Sequence, residues 1–227
     1  MKAPASSRID VTALISGNFR LGRKATISAY VRIRGPVTIG SQSFIGENSS
    51  LGFPTRTELR GNSSQSRGRV KLGSNVCVRT NCVIYPSVSI GNFTELGHNV
   101  TLREEISIGT RSLIGTNTIV DGYCKIGSRV SIQSGVYIPM RSLVEDDAFL
   151  GPHCVLTNDK FMKKGARLIG PTIKRRARIG ANAVIFPGVT IGEEATVGAG
   201  AVVRQNIPSR SVVAGVPAQA ISENRVR

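Results

Sequence analysis

The chain has 227 residues, 30 Lys and Arg against 14 Asp and Glu, a formal charge of +16, and 40% apolar residues. That length and apolar fraction fit one or two compact domains and exclude a disordered chain. No apolar run approaches the roughly 20 residues of a membrane span, the first eight residues lack the apolar centre of a signal peptide, and the four cysteines show no paired CxxC spacing. A cytoplasmic protein is expected. Trp is absent and aromatics make up only 5%, so the core must use smaller residues than the aromatics that usually dominate one. Abundant Gly and β-branched residues point to β structure.

Stepping by six from Ile9 meets Ile15, Leu21, Ile27, Ile33, Ile39, Ile45 and Leu51. The period breaks at about 53–70, where Pro54, Gly61, Asn62 and a Ser-rich stretch read as a loop. It resumes at Leu72 and holds for fifteen hexads, through Val78, Ile84 and Ile90 to Leu150 and Leu156. A second break, about 157–172, contains Asn158, Asp159, Gly165 and Pro171. Ile173, Ile179, Ile185, Ile191, Val197 and Val203 complete the pattern. Residues 1–207 thus form the repeat body. The tail 208–227, with its apolar Val212-Val213-Ala214-Gly215-Val216-Pro217-Ala218 run, reads as a cap that keeps an open parallel edge from pairing with other chains.

Two further slots share the period. Gly follows the aliphatic at fourteen positions, as expected where backbone turns through positive φ or packs tightly at a corner. Two residues before the aliphatic the side chains are small: Val76, Cys82, Val88, Thr94, Val100, Ala177, Ala183, Val189, Ala195 and Ala201. Inward residues at i and i−2 obey the strand pleat and contradict the 3.6 period of a helix. The pattern predicts an all-β parallel β-helix: three short strands and three corners per 18-residue coil, and about ten coils from 29 hexads.

The cysteines Cys82, Cys124 and Cys154 fall in the small inward slot and read as core filling; Cys77 faces outward with no partner. His98 and His153 both face outward and stand about three coils apart, roughly 14 Å at the stacking distance, so they are not a metal pair and no metal is expected. An exposed His98 suits a general base. The cations thicken in the two loops: Arg56, Arg60, Arg67, Arg69 and Lys71 around the first, and Lys160, Lys163, Lys164, Arg167, Lys174, Arg175, Arg176 and Arg178 from the second onward. Such clusters suit phosphate-bearing small molecules, while sparse aromatics argue against nucleic-acid stacking.

The hexads are identified with the hexapeptide-repeat, left-handed parallel β-helix family of acyltransferases. Gly97-His98-Asn99-Val100-Thr101-Leu102-Arg103-Glu104, Val144-Glu145-Asp146-Asp147 and Leu156-Thr157-Asn158-Asp159-Lys160 are similar to nucleotide-sugar N-acetyltransferases of that fold. Thr196-Val197-Gly198-Ala199-Gly200 resembles the last coil of the wider superfamily. The resemblance implies a homotrimer with sites in the grooves between subunits. It implies acetyl-CoA as donor and, as acceptor, an amino group on a nucleotide-linked sugar, for surface glycan synthesis; O-acetylation of a sugar or small alcohol, and a non-catalytic β-helix for assembly or anion binding, are the alternatives. It implies His98 as base, Asn158 or backbone N–H groups as oxyanion donors, and Glu104 or Asp159 as partners of His98 or of the sugar, with Arg103 also on the acceptor. Lys174, Arg175, Gly180, Ala181, Gly198, Ala199 and Arg204 would hold coenzyme A. The chain departs from relatives at Phe161-Met162-Lys163-Lys164 and at Pro217-Ala218-Gln219.

Overall fold

The structure, a computed structural model, describes residues 6–61 and 68–221. Asn62, the Ser-rich stretch and Arg67 of the first loop lie outside the described residues, as do 1–5 and 222–227. Hexads become strands of two or three residues, and these stack into three sheets, called here faces A, B and C. Cys77 pairs with Glu95 and Val78 with Leu96, so register steps by one 18-residue coil. Face A has twelve strands from Arg8–Ile9 to Gln219–Ala220, face B ten from Leu14–Ser16 to Val202–Val203, and face C nine from Phe19–Leu21 to Thr190–Ile191. Among the described residues every pairing is parallel except the last, Val212–Ala214 with Gln219–Ala220. The result is an all-β parallel solenoid of about eleven turns. That is one rung more than the hexads count, because Val212–Ala214 adds to Thr196–Val197.

Consecutive strand residues point to opposite sides, and here the second one points in: Leu96, Leu102 and Ile114 are fully buried. The small residues two positions earlier are buried too, from Val76 through Ala201, and Phe19 is the one aromatic in the core among the described residues. A narrow interior therefore explains the missing Trp. Thr94 and Ser112 sit in this slot because their hydroxyls close the turns: Thr94 Oγ1 donates to the Gly109 carbonyl at 2.8 Å and accepts from the Ser112 N–H at 3.2 Å. Buried hydroxyls with partners cost little.

Of the two reasons for Gly after the aliphatic, close packing decides everywhere but at Gly52, whose φ is +73°. Left-handed φ falls two residues later, at Asn75, Asn81, Asn99 and Asn117, whose short amides tolerate it. At Gly91 a Cβ would lie 2.6 Å from the Gly109 carbonyl carbon of the next coil.

Both loops leave the solenoid at one edge. The first runs from Ser50–Leu51 on face B to Val70–Leu72 on face C, and the second from Val155–Leu156 on face B to Thr172–Ile173 on face C. Both project from the edge between faces B and C, edge BC. In the first loop Arg56–Leu59 forms a short helical turn, capped by Thr55 and Glu58 bonding reciprocally.

Candidate active site

His98 stands between Glu95–Leu96 on face A and Thr101–Leu102 on face B, on edge AB, with its side chain exposed. Two hydroxyls from the adjacent coils hold it. Thr80 Oγ1 lies 2.8 Å from the ring Nδ1, and the His98 N–H donates to Thr116 Oγ1 at 3.2 Å. Thr80, His98 and Thr116 occupy one slot in successive coils. Asn99 Nδ2 donates to Asn117 Oδ1 at 3.0 Å in the next slot. The Thr116 N–H, one coil above His98, has no hydrogen bond among the described residues.

Glu104, six residues on, is carried round to edge BC. It does not meet His98 within the protomer. Arg103 Nε and Nη2 grip its carboxylate at 3.1 and 2.9 Å, and Arg103 also reaches Asp121 at 3.7 Å. Tyr137 Oη donates to Asp121 at 2.6 Å. Burial first, and that bond second, push the Tyr137 hydroxyl up to about 12. The Arg103 guanidinium lies 5.7 Å from the centre of the Tyr85 ring, which packs 5.4 Å from Phe53. Edge BC is thus lined by an aromatic and ionic ladder whose members come from successive coils.

Asn158 and Asp159 also sit on edge BC, at the root of the second loop. Asn158 Nδ2 donates to the Met140 carbonyl at 3.3 Å, and its own carbonyl accepts from Ile169. Asp159 Oδ1 accepts the N–H groups of Phe161 and Met162 at 3.0 and 2.8 Å, an Asx turn that shapes the loop. Asn158 is three coils from Glu104, about 14 Å along the axis.

The residues expected at coenzyme A divide among three edges. Gly180, Ala181, Gly198 and Ala199 follow face A strands and share edge AB with His98. Arg204 follows Val202–Val203 onto edge BC, where it lines a cleft with Lys160, Phe186, Gln205, Pro217 and Ala218. Lys174 and Arg175 lie on the third edge, CA, and are paired there. Lys174 bonds Glu145 at 2.7 Å and Arg175 bonds Glu193 at 3.1 Å, within a ladder that continues through Arg176 and Glu194 to Arg210. Within the cationic run of the sequence, Lys174, Arg175 and Arg176 are thus paired with acids from the coils on either side. Sequence reasoning missed Thr80, Thr116, Asp121, Glu145 and Glu193; the 18-residue spacing, lengthened to 29 where the second loop intervenes, was the available signal.

His153 follows the same edge as His98, three coils on, with its ring against Gly135. Cys82, Cys124 and Cys154 are buried and Cys77 half-buried. Desolvation pushes Cys82 and Cys124 up to about 11 and Cys154 up to about 12, so none is a ready nucleophile. Among the described residues no three His, Cys, Asp or Glu side chains cluster as a metal site, and no helix is long and apolar enough to cross a membrane.

Residues 170–205 match the family described as bacterial transferase hexapeptide (six repeats), and residues 105–139 match the hexapeptide repeat of succinyl-transferase. Together with the three-faced solenoid these matches decide the class. The chain is a hexapeptide-repeat β-helix. A 2,3,4,5-tetrahydropyridine-2,6-dicarboxylate N-acetyltransferase of Enterococcus faecalis is 51% identical over 51 residues, covering 22% of each chain. The hexapeptide chain thus aligns with only about a fifth of that curated relative. Among solved structures, a UDP-N-acetylglucosamine O-acyltransferase of Moraxella catarrhalis is 18% identical, covers 96% of this chain and 75% of its own, and has a TM-score of 0.45. A hexapeptide-repeat acetyltransferase of Vibrio cholerae, solved with acetyl coenzyme A, is 22% identical, with 61% and 72% coverage and a TM-score of 0.38.

Proposed function

We propose that the protein is an acetyl-CoA-dependent N-acetyltransferase working as a homotrimer, with His98 as general base. The observation that carries this reading is the placement of His98: exposed, held by hydroxyls from both neighbouring coils, and beside the most apolar outer face. Face B turns Leu14, Val83, Ile119, Tyr137, Val155, Val184 and Val202 outward, partly or largely exposed, with Arg32, Ser50 and Thr101 as its polar members. Face C instead turns out Arg20, Thr38, Lys71, Ser89, Ser107, Lys125, Thr172 and Thr190, with Leu143 its one apolar member. Three copies packing face B around a threefold parallel to the solenoid bury this surface. Edge AB of one copy then runs beside edge BC of the next, and His98 faces its neighbour's edge BC at the level of Arg103 and Glu104.

In that groove the acceptor amine attacks the thioester carbonyl of acetyl-CoA, and the N–C bond forms as the carbonyl π pair moves to oxygen. His98 Nε2 removes the proton from the attacking nitrogen. The C–S bond breaks, the amide forms, and His98 returns the proton to the departing thiolate. Asn158 is about 14 Å too far along the axis to hold the oxyanion at His98. A backbone donor takes that part, and the unpaired Thr116 N–H lies on the right edge. Gly180, Ala181, Gly198 and Ala199 of one copy and Arg204 of the next border the same groove, where small residues admit the donor chain and the cation meets phosphate. Lys174 and Arg175 face away from it.

The acceptor is an amine carrying anionic groups. A nucleotide-linked sugar is the first reading, from the resemblance at residues 97–104 and 156–160. A nitrogen-bearing dicarboxylate is the second, after the tetrahydropyridine dicarboxylate in the name of the Enterococcus relative. Free thiol released from acetyl-CoA, measured over amino-sugar nucleotides, amino dicarboxylates and their hydroxyl counterparts, tests the proposal. Release with an amine supports it, release with hydroxyls alone moves the activity to O-acetylation, and no release with any acceptor overturns it.

A further inference from the structure

We infer that Thr80 is the positioning residue of His98, holding the imidazole as the Nδ1–H tautomer so that Nε2 carries the free lone pair. The inference rests on the proposed role of His98 as base. Neither carboxylate expected to orient the ring does so within the protomer: Glu104 is bound by Arg103 on another edge, and Asp159 Oδ1 accepts two N–H groups of its own loop. Among the described residues the Thr80 hydroxyl, 2.8 Å from Nδ1, is the one side chain bonded to the ring.

The hydrogen bond at one imidazole nitrogen decides which nitrogen bears the proton. A base acting through Nε2 needs hydrogen on Nδ1, and that N–H needs an acceptor. Thr80 Oγ1 has lone pairs for it. When Nε2 takes the acceptor's proton, both nitrogens carry hydrogen and Thr80 still accepts from Nδ1. The same bond therefore persists before and after proton transfer, with no side chain moving. In the opposite tautomer Thr80 donates to Nδ1, Nε2 carries hydrogen, and the ring cannot act as base. The Thr116 hydroxyl fixes the other coordinate: by accepting from the His98 N–H it anchors the backbone from the next coil.

The test uses the full chain with 15N-labelled histidine, His153→Gln assigning the second ring. At alkaline pH, NMR of the wild type should show His98 protonated at Nδ1 and bare at Nε2. Thr80→Ser should keep that pattern, and Thr80→Val, of nearly the same shape, should move hydrogen to Nε2. In the thiol-release assay Thr80→Val should lower kcat about 10- to 100-fold, the scale seen when a metal-bound histidine loses its hydrogen-bond partner, with KM for acetyl-CoA little changed and Thr80→Ser restoring the rate. A wild-type ring protonated at Nε2, or a Thr80→Val protein with wild-type tautomer or wild-type kcat, overturns the inference. If no acceptor is acetylated, the proposed activity fails while the tautomer measurement still decides the role of Thr80.

Discussion

Gly97→Ala joins the packing of the solenoid to the geometry of the site. Gly97 is not in the left-handed region, so alanine suffers no φ penalty there. A Cβ would instead lie 2.5 Å from the Thr116 N, 2.8 Å from Thr116 Oγ1 and 2.9 Å from the Gly115 carbonyl carbon. Ordinary Cβ contacts begin near 3.4 Å, so the two coils must part locally by about half an ångström or more. Overpacking of this kind costs about 1–3 kcal/mol, which for a chain of this size is a fall in Tm of roughly 3–10 °C. The atoms pushed are the ones that fix His98, since Thr116 Oγ1 accepts its N–H. Misplacement approaching 1 Å can cost about 100-fold in rate, so kcat should fall about 10-fold or more. Thermal unfolding followed by circular dichroism, with the thiol-release assay beside it, measures both. Gly165→Ala is the control: nothing lies within 4 Å of its Cβ, and only its φ of +81° opposes the change. A Gly97→Ala protein that melts and turns over like wild type would refute the close-packing account.

Other predictions concern the core, the faces and the charges. Leu102→Ala removes a fully buried rung and should cost about 2–5 kcal/mol, read as a Tm lower by at least several degrees. Ile119→Glu, on the outer side of face B, should convert a trimeric mass in light scattering to a monomeric one while circular dichroism stays unchanged; a persisting trimer places the interface elsewhere. A thiol reagent at pH 8 should modify at most Cys77 in the native protein and all four cysteines in guanidinium, because burial keeps the other three protonated and covered. The bond from Arg129, at 2.6 Å, holds the Asp147 carboxyl below its ordinary 3.8. Its contribution is present above that value and is lost as pH falls through the lower folded one. Arg129→Met should therefore shrink the difference between Tm at pH 7 and at pH 2, by no more than a few degrees since both groups are solvated.

The fold was legible because one aliphatic every six residues, with a small residue two before it, admits no helix and only a three-cornered coil. The position of both loops was legible too. Fifteen hexads separate the breaks, which is five whole coils, so both must leave from one edge. Contacts between coils were harder to see. His98 and Glu104 are near in sequence, yet one hexad carries the chain to the next edge and parts them. Thr80 is 18 residues from His98 and touches it. Lys174 finds Glu145, 29 residues back across a loop, and Arg175 finds Glu193, 18 residues on. Lys174, Arg175 and Arg176, unmatched cations in the sequence, are therefore part of a paired ladder in space. Left-handed φ at Asn99 and its equivalents follows from the turn, whereas the neighbouring glycines answer to the coil above.

The proposed chemistry turns on His98 acting as the base of an acetyl transfer. Its most direct measurement is the rate of thiol release from acetyl-CoA by wild type and by His98→Ala, with the acceptor amine saturating and both proteins shown to be equally folded and of equal mass in light scattering. Release by the wild type is expected, with a loss of at least about 100-fold in kcat for His98→Ala, the scale of a general base. Undiminished release by His98→Ala would contradict it.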